Sequence, residues 1–311
     1  MLPIKIAIED SFFEEEDRCG YLVSREMKKI WAVELDLLNE FSTVCEDYQL
    51  KWFVHAGTML GAIRHKGFIP WDDDIDVVMP RSDYEKLCGI ASDVFTDPYF
   101  FQTENTDRFF CRNFARLRNS MTTAIQHWES KRRYPYNQGI FIDVFPMDNI
   151  PDDLEERNHY FEEVVYYHSM SWQMRNYVYF FHEEKSVGAV KYLKRYGKHL
   201  LYKYVQRKKR NYVNFVDQCD KVLQKYNGQL TGWIGESVIP PLGRWVWKKE
   251  WVENVMCVPF EMLMVPVPVG YEECLKAGFG KNWRIPKQAP NMHGNVFFDV
   301  DKPYTEYIRL K

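Results

Sequence analysis

The spacing of hydrophobic residues changes several times along the chain and predicts alternating strands and helices in its first half. From residue 24 to residue 48, apolar residues recur at helical spacing, which predicts an amphipathic helix. A short β-prone run at 51–57 follows, and a second helix is predicted to begin at Thr58. The next extended segment ends at Pro80, and Ser82 is the predicted N-cap of the helix after it.

The pattern of residue types changes twice in the second half of the chain. Residues 108–118 and 139–145 are predicted to form two further strands, whereas residues 152–227 have helical spacing and no proline. Residues 228–311 return to segments rich in Gly, Pro and Val. The pattern predicts an α+β fold: a mixed sheet with flanking helices, a core at 1–151, a helical insertion at 152–227 and a C-terminal segment that completes the core.

The strongest chemical signal is the run Asp-Asp-Asp-Ile-Asp at 72–76. In an extended strand alternate side chains share a face, so Asp72, Asp74 and Asp76 are expected to lie together. Like charges about 4 Å apart repel by roughly 4 kcal/mol at an effective dielectric near 20. A hard divalent cation, Mg²⁺ or Mn²⁺, offsets this repulsion. A solvated acidic turn is the alternative, but the apolar residues that follow favour a buried strand and a metal site.

Gly57 and Thr58 stand at the predicted junction between a strand and a helix. Glycine allows close approach of a ligand to the backbone, and the free N–H groups of a helix N-terminus attract phosphate. The dipeptide alone is uninformative. Followed by acids on the next strand, it predicts a nucleotidyltransferase-like arrangement in which carboxylates, metal and helix N-terminus bind a diphosphate.

Asp143 lies within an otherwise apolar predicted strand. Burying a lone acid is costly unless it is paired or bound to metal, so Asp143 is the predicted third metal ligand. Asp148, just beyond that strand, is the alternative and has a greater chance of being a turn residue.

Arginines provide candidate phosphate ligands. Arg112, Arg116 and Arg118 are predicted to share one face of the strand at 108–118, where they would neutralise nucleotide phosphates or, alternatively, line a solvated edge. Arg64 is a further phosphate-binding candidate near the end of the helix after Gly57. The helix dipole favours a cation there whatever the function.

Composition narrows the class of protein. The chain of 311 residues is 46% hydrophobic, and 41 basic against 44 acidic residues give a net charge of -3. This balance predicts a folded protein and argues against one that coats nucleic acid. Seven scattered cysteines lack zinc-site spacing, and no apolar run approaches the length of a membrane span. We therefore expect a soluble cytoplasmic protein with reduced thiols.

One segment suggests a membrane surface. Residues 191–210 contain nine Lys or Arg and no acid, with Tyr, Leu and Val interleaved. A basic amphipathic helix of this kind predicts peripheral contact with an anionic membrane at the inner face. A solvated helix face packed on the core is the alternative.

The segments HAGTMLGAIRHKGFIPWDDDIDVVMPRSDYEKL, GIFIDVFPMD and VPVPVGYEECLKAGFGKNWRIP resemble the LicD family, the phosphocholine transferases to which the fukutin-related proteins are akin. The resemblance covers roughly residues 30–150, and 255–295 more loosely. It implies a nucleotidyltransferase-type fold and a CDP-activated alcohol, usually CDP-choline. It also implies transfer of the phospho-alcohol to a hydroxyl of a surface glycan, such as lipopolysaccharide or teichoic acid, or of its lipid-linked precursor.

In that family pattern, Asp74 and Asp76 are the metal pair and Asp143 is the third acid, which is also our preferred acceptor of the hydroxyl proton. The chain departs from the pattern at Phe279-Gly280-Lys281-Asn282, which leaves the specificity for alcohol and acceptor open. His293 lies in the segment that matches the family's C-terminal part and is either a pocket residue or a loop residue.

Two other readings stay open. A nucleotidyltransferase that adds a nucleotide to a small molecule or RNA would use the same acids and release pyrophosphate. A non-catalytic protein that binds a glycan or a membrane surface would not need every acid. The aromatic residues Trp71, Trp128, Tyr134 and Tyr136 would suit either a cage for a quaternary ammonium or core packing.

Overall fold

The computed structural model describes residues 2–130, 134–178, 188–207, 212–238, 243–288 and 296–308; the side chains of 128, 130, 177–178, 202–203 and 205–207 lie outside this description. The strands are β1 Glu16–Arg18, β2 Tyr21–Val23, β3 Phe53–Val54, β4 Asp76–Pro80, β5 Tyr99–Gln102, β6 Ala115–Asn119, β7 Thr123–Gln126, β8 Ile140–Ile150, β9 Trp233–Gly235, β10 Val246–Lys248, β11 Val255–Phe260, β12 Leu263–Pro268 and β13 Val296–Asp299.

The helices are α1 Arg25–Asp47, α2 Ala56–His65, α3 Arg81–Val94, α4 His127–Ser130, α5 Leu154–Val178, α6 Ala189–Arg207, α7 Tyr212–Leu223, α8 Lys249–Val252 and α9 Tyr271–Phe279. Helices and a mixed sheet thus coexist in one chain, which confirms the α+β class. No helix in the described part of the chain is both long and apolar enough to cross a membrane.

The central sheet is built around β8. On one side β8 pairs in parallel with β4, which pairs with β3; on the other its first half pairs with β6 and its last residues pair with β9. β5 extends the sheet beyond β6, and β10 extends it beyond β9. The segment after residue 228 therefore adds strands to the sheet formed by the first half of the chain.

Proline 146 lies inside β8, where a missing N–H would ordinarily break the sheet. The backbone N–H of Asp143 donates to the carbonyl of Ile75, so alternate N–H groups of β8 point toward β4. By that alternation the missing donor at Pro146 faces the other edge, in the gap between β6 and β9. The strand therefore continues to Ile150, five residues beyond its predicted end.

Other element boundaries also differ from prediction. The strand predicted at 108–118 begins only at Ala115, and β5 and β7 were not predicted. Helix α2 begins at Ala56 rather than Thr58. Pro80, not Ser82, occupies the N-cap position of α3, because the proline ends the strand and the helix starts directly after it.

Helix α1 is buried on nearly all sides between Ile30 and Leu38, and Ser24 caps it by accepting a hydrogen bond from the N–H of Met27. The predicted helical region contains α5, α6 and α7, of which α5 and α7 pack together. Arg81 on α3 links α7 to the sheet, since its guanidinium binds both Asp148 on β8 and Asp220 on α7.

Candidate active site

A polar row crosses one face of the central sheet. Asp76 on β4 is the register partner of Asp143 on β8, and Asp143 is the partner of Arg116 on β6. Gln102 on β5 is in turn the partner of Arg116. Register partners on neighbouring strands project their side chains to the same face. The two acids that the sequence placed on separate strands are therefore adjacent.

Arg116 and Asp143 form a buried ion pair. The Nε atom of Arg116 lies 2.5 Å from Oδ1 of Asp143, and its Nη2 atom lies 3.3 Å from Oδ2. The exposed fractions are 1% for Arg116 and 3% for Asp143. A bidentate arginine offsets the cost of burying the carboxylate. Asp143 is thus stabilised by a cation of the chain itself, which the sequence reasoning did not anticipate.

The carboxylates of Asp72, Asp73 and Asp74 converge beside this row. Each offers an oxygen, and these oxygens lie within 4.8 Å of one another. Because β4 begins only at Asp76, residues 72–75 precede the strand, and strand alternation does not separate Asp73 from Asp72 and Asp74. Exposure still alternates, with Asp72, Asp74 and Asp76 half-buried and Asp73 buried. An all-oxygen set at this spacing fits a hard cation such as Mg²⁺ or Mn²⁺.

The N-terminus of α2 lies against the acid cluster. A Cβ atom at Gly57 would stand 2.7 Å from Oδ2 of Asp72, so the missing side chain leaves room for that carboxylate. The N–H of Asp76 donates to Oγ1 of Thr58 at 2.8 Å, which ties the first turn of α2 to the start of β4. Gly57 and Thr58 thus lie beside the acid cluster. Phosphate binding by this turn stays a prediction.

Glu34 is a further acid that the sequence reasoning missed. It lies on α1, is 1% exposed, and its Oε2 atom is buried without a hydrogen-bond partner. Burial raises the pKa of Glu34 well above its usual range, and the neighbouring charges of Asp74, Asp73, Asp72 and Asp76 raise it further. The available signal was an acid in the middle of the run Ile30–Leu38, which is too apolar for a solvated helix face.

His55 precedes α2 and is also buried. Its ring packs edge-on against Phe145, Trp245 and Trp247, and its backbone N–H donates to the carbonyl of Asp76. Burial, and secondarily the charge of Arg244, lowers the pKa of His55 to about 3. The imidazole is therefore neutral at physiological pH and holds the start of α2 in an aromatic environment.

The predicted phosphate-binding arginines take different positions. Arg112 precedes β6, so it does not share a strand face with Arg116; it lies 3.9 Å from Glu129 and beside the rings of Phe114 and Trp172. Burial lowers the pKa of Arg112 to about 10, and the charge of Arg116 contributes.

Arg64 lies about 10 Å along the helix axis from Gly57. It donates to the Trp283 carbonyl and to Nε2 of His65, so its observed contacts are structural.

Three other candidate residues are buried in the protein core. Both carboxylate oxygens of Asp148 bind Arg81, at 2.8 and 2.6 Å, so this acid is a link between elements and not a turn residue. Tyr134 and Tyr136 stack on each other with centroids 5.1 Å apart and are buried.

The aromatic cage is not assembled by the described side chains. Trp71 packs against Tyr21 in a hydrophobic cluster separate from that of the two tyrosines. The side chain of Trp128 and the whole of His293 lie outside the described residues.

Acids on adjoining strands of a mixed sheet thus lie beside the N-terminus of a helix. Residues 49–182 match the family model described as "LicD/FKTN/FKRP, nucleotidyltransferase domain". The match falls in the part of the chain whose motifs resemble the LicD family, which confirms that resemblance.

Curated relatives align over limited segments. The lipopolysaccharide cholinephosphotransferase LicD of Haemophilus influenzae is 34% identical over 133 residues, which cover 41% of this chain and 48% of that protein. Uncharacterised proteins of Rickettsia prowazekii and Rickettsia typhi are each 47% identical over 47 residues, which cover 15% of this chain and 18% and 15% of theirs. The aligned part thus spans less than half the length of each of these relatives.

Proposed function

We propose that this protein is a metal-dependent transferase that moves a phospho-alcohol unit from a CDP-activated alcohol to a hydroxyl of a cell-surface glycan or its lipid-linked precursor. Phosphocholine from CDP-choline is the first candidate, because the Haemophilus influenzae relative carries the name of a cholinephosphotransferase. The observation that carries the proposal is the register of Asp76 with Asp143 beside the clustered carboxylates of Asp72 and Asp74.

Asp72, Asp74 and Asp76 would hold Mg²⁺ or Mn²⁺. Asp143, the register partner of Asp76, would lie beside them. When bound, such an ion supplies Lewis-acid neutralisation of the charge on the diphosphate oxygens. Asp73 also offers an oxygen to this group. The pairing with Arg116 gives Asp143 a fixed orientation, so we assign Arg116 to positioning Asp143 rather than to direct phosphate contact.

The chain's own groups account for the remaining steps. The N–H groups in the first turn of α2 bind phosphate oxygens, and Arg112, which lies near Arg116, adds positive charge. The acceptor oxygen attacks the phosphorus that carries the alcohol, the bond from that phosphorus to the bridging oxygen breaks, and CMP leaves. Asp143, oriented by Arg116, takes the hydroxyl proton.

A cytoplasmic position with contact at the inner membrane face belongs to the same proposal, because a lipid-linked glycan precursor lies at a membrane surface. The partners are then a CDP-alcohol and a glycan acceptor, and nucleic acid has no role in the reaction. The sequence's net charge of -3 is in keeping with that.

The decisive experiment measures CMP release from CDP-choline, CDP-ethanolamine, CDP-glycerol and CDP-ribitol, each with Mg²⁺ and a glycan acceptor. We expect release from at least one donor, with CDP-choline the most active. Release of pyrophosphate from CTP instead of CMP from these donors would favour a nucleotidyltransferase. Turnover with neither class would favour a non-catalytic binding protein.

Asp76→Asn provides the matched test of the site. It preserves the size of the side chain and removes the charge opposite Asp143, so we expect CMP release to fall by at least about a hundredfold. Asp93→Asn, at an exposed position on α3, is the control and should leave turnover unchanged. Near-normal turnover of a folded Asp76→Asn protein would refute the site.

A further inference from the structure

Helix α6 carries a broad apolar surface that is open to solvent. The exposed fractions are 70% for Val190, 65% for Leu193, 49% for Leu200 and 58% for Leu201, and Tyr192, Tyr196 and Tyr204 are also exposed. At 3.6 residues per turn, these positions fall within about half of the helix circumference. Within the described part of the chain, large apolar side chains lie scattered on other elements but form no comparable stripe along one helix.

The charges on α6 have one sign. Lys191, Lys194, Arg195 and Lys198 occupy the arc that adjoins the apolar one, and residues 188–207 contain no Asp or Glu. His199 falls where the two arcs meet on the other side and is buried, with an exposed fraction of 7%. Helix α6 packs against α5, so the buried position marks the side that faces the protein. The apolar and basic arcs both remain on the outside.

We propose that α6 lies in the surface of an anionic lipid bilayer. In that position the apolar arc of Val190, Leu193 and Leu201 enters the boundary between headgroups and acyl chains, and the lysines contact the acidic headgroups. A helix with an apolar face, a basic flank and no acid is complementary to such a surface. The stacked rings of Tyr192 and Tyr196, 6.5 Å apart, suit the interfacial depth at which tyrosine is favoured.

This binding does not depend on catalysis, and only its purpose rests on the proposed function. A transferase whose acceptor is attached to a lipid gains from residence at the membrane, because the search for the acceptor is reduced to two dimensions.

The test is co-sedimentation of the full chain with vesicles of phosphatidylcholine, with and without phosphatidylglycerol. We expect sedimentation only with the anionic vesicles and a decline as salt increases, since salt screens the lysine contacts. The double variant Leu193→Glu/Leu201→Glu should lower the vesicle partition coefficient by at least about tenfold, because it places charge in the apolar arc. Leu230→Glu, at a fully exposed position between α7 and β9, is the control and should bind as the unmodified chain does.

Three results would overturn the inference. They are equal sedimentation with neutral vesicles, undiminished binding by the double variant, or a change from dimer to monomer in that variant, which would make a second copy the occupant of the arc. CMP release with a soluble acceptor is measured on the same proteins and should be unaffected by the double variant. Binding without CMP release would remove the proposed reaction and leave the membrane surface standing.

Discussion

At the scale of single residues, Gly57 is the most informative position. An alanine Cβ there would stand 2.7 Å from Oδ2 of Asp72 and would displace that carboxylate. The backbone is helical, so Gly57→Ala should keep or raise stability, by up to about 1 kcal/mol. The affinity for Mn²⁺ should nevertheless fall by about tenfold or more, because a ligand is moved. Thermal unfolding and a Mn²⁺ titration by electron paramagnetic resonance measure the two effects.

Gly89→Ala is the matched control for that substitution. Gly89 is also helical, but no atom lies within 4 Å of its would-be Cβ. It should raise stability to a similar degree and leave Mn²⁺ affinity unchanged. If Gly57→Ala binds Mn²⁺ as tightly as this control does, Asp72 is not a ligand.

The residue types of the candidate site were accessible from sequence, but their pairing was not. Asp76 and Asp143 each follow from an acid in an apolar strand. The partner of Asp143 depends on the register of β6 against β8, and Arg116, Arg112 and Arg118 are equivalent in a linear reading. Only Arg116 proves to stand opposite Asp143.

At the scale of elements, the link made by Arg81 is critical because it joins α3, β8 and α7. Its side chain is 8% exposed, and its partner Asp148 is 2% exposed. Asp148→Asn leaves a buried guanidinium without its main counter-charge, which should lower the free energy of unfolding by about 3 kcal/mol. Urea denaturation measures the change.

The exposed pair Lys86–Asp83 provides the comparison. Lys86 is 65% exposed, so Lys86→Ala should cost less than about 1 kcal/mol. Equal losses for the two variants would show that Asp148 contributes no more than a surface contact.

Glu104, which interacts electrostatically with Arg81 and Asp220, makes the stability of this part of the protein depend on pH. Burial, followed by the charge of Asp220, raises the pKa of Glu104 to about 7, although Arg81 opposes this shift. The folded state therefore holds the proton more tightly than the unfolded chain does. The stabilisation is fully present below about pH 4.5 and is lost as pH rises toward 7.

Glu104→Gln should remove that decline. Its unfolding free energy relative to the original chain should increase between pH 4.5 and 7, by up to about 3 kcal/mol, as followed by chemical denaturation at several pH values. Glu85→Gln, on the exposed face of α3, should change the profile little. Parallel profiles for the original chain and the Glu104→Gln variant would contradict the assignment.

At the scale of the whole molecule, the class of fold and the order of its main elements followed from the spacing of apolar residues. The short strands did not: β3 has two residues and β9 has three, too few to show a period. Contacts between distant segments were equally inaccessible. Arg18 binds Glu261, and Arg64 binds the carbonyl of Trp283, so both ends of the chain are held against α2 and its surroundings.

Strand β9 follows the helical region in the sequence, and this position limits where the chain can be cut without exposing an edge of the central sheet. The segment that matches the family model ends at 182, yet residues 148–150 of the central strand lie beyond the end of β4 and pair with 233–235. A fragment cut at the family boundary would leave the far end of that strand as a bare edge, which invites pairing between copies. The smallest piece worth expressing therefore runs at least through Lys248, where the outermost strand ends.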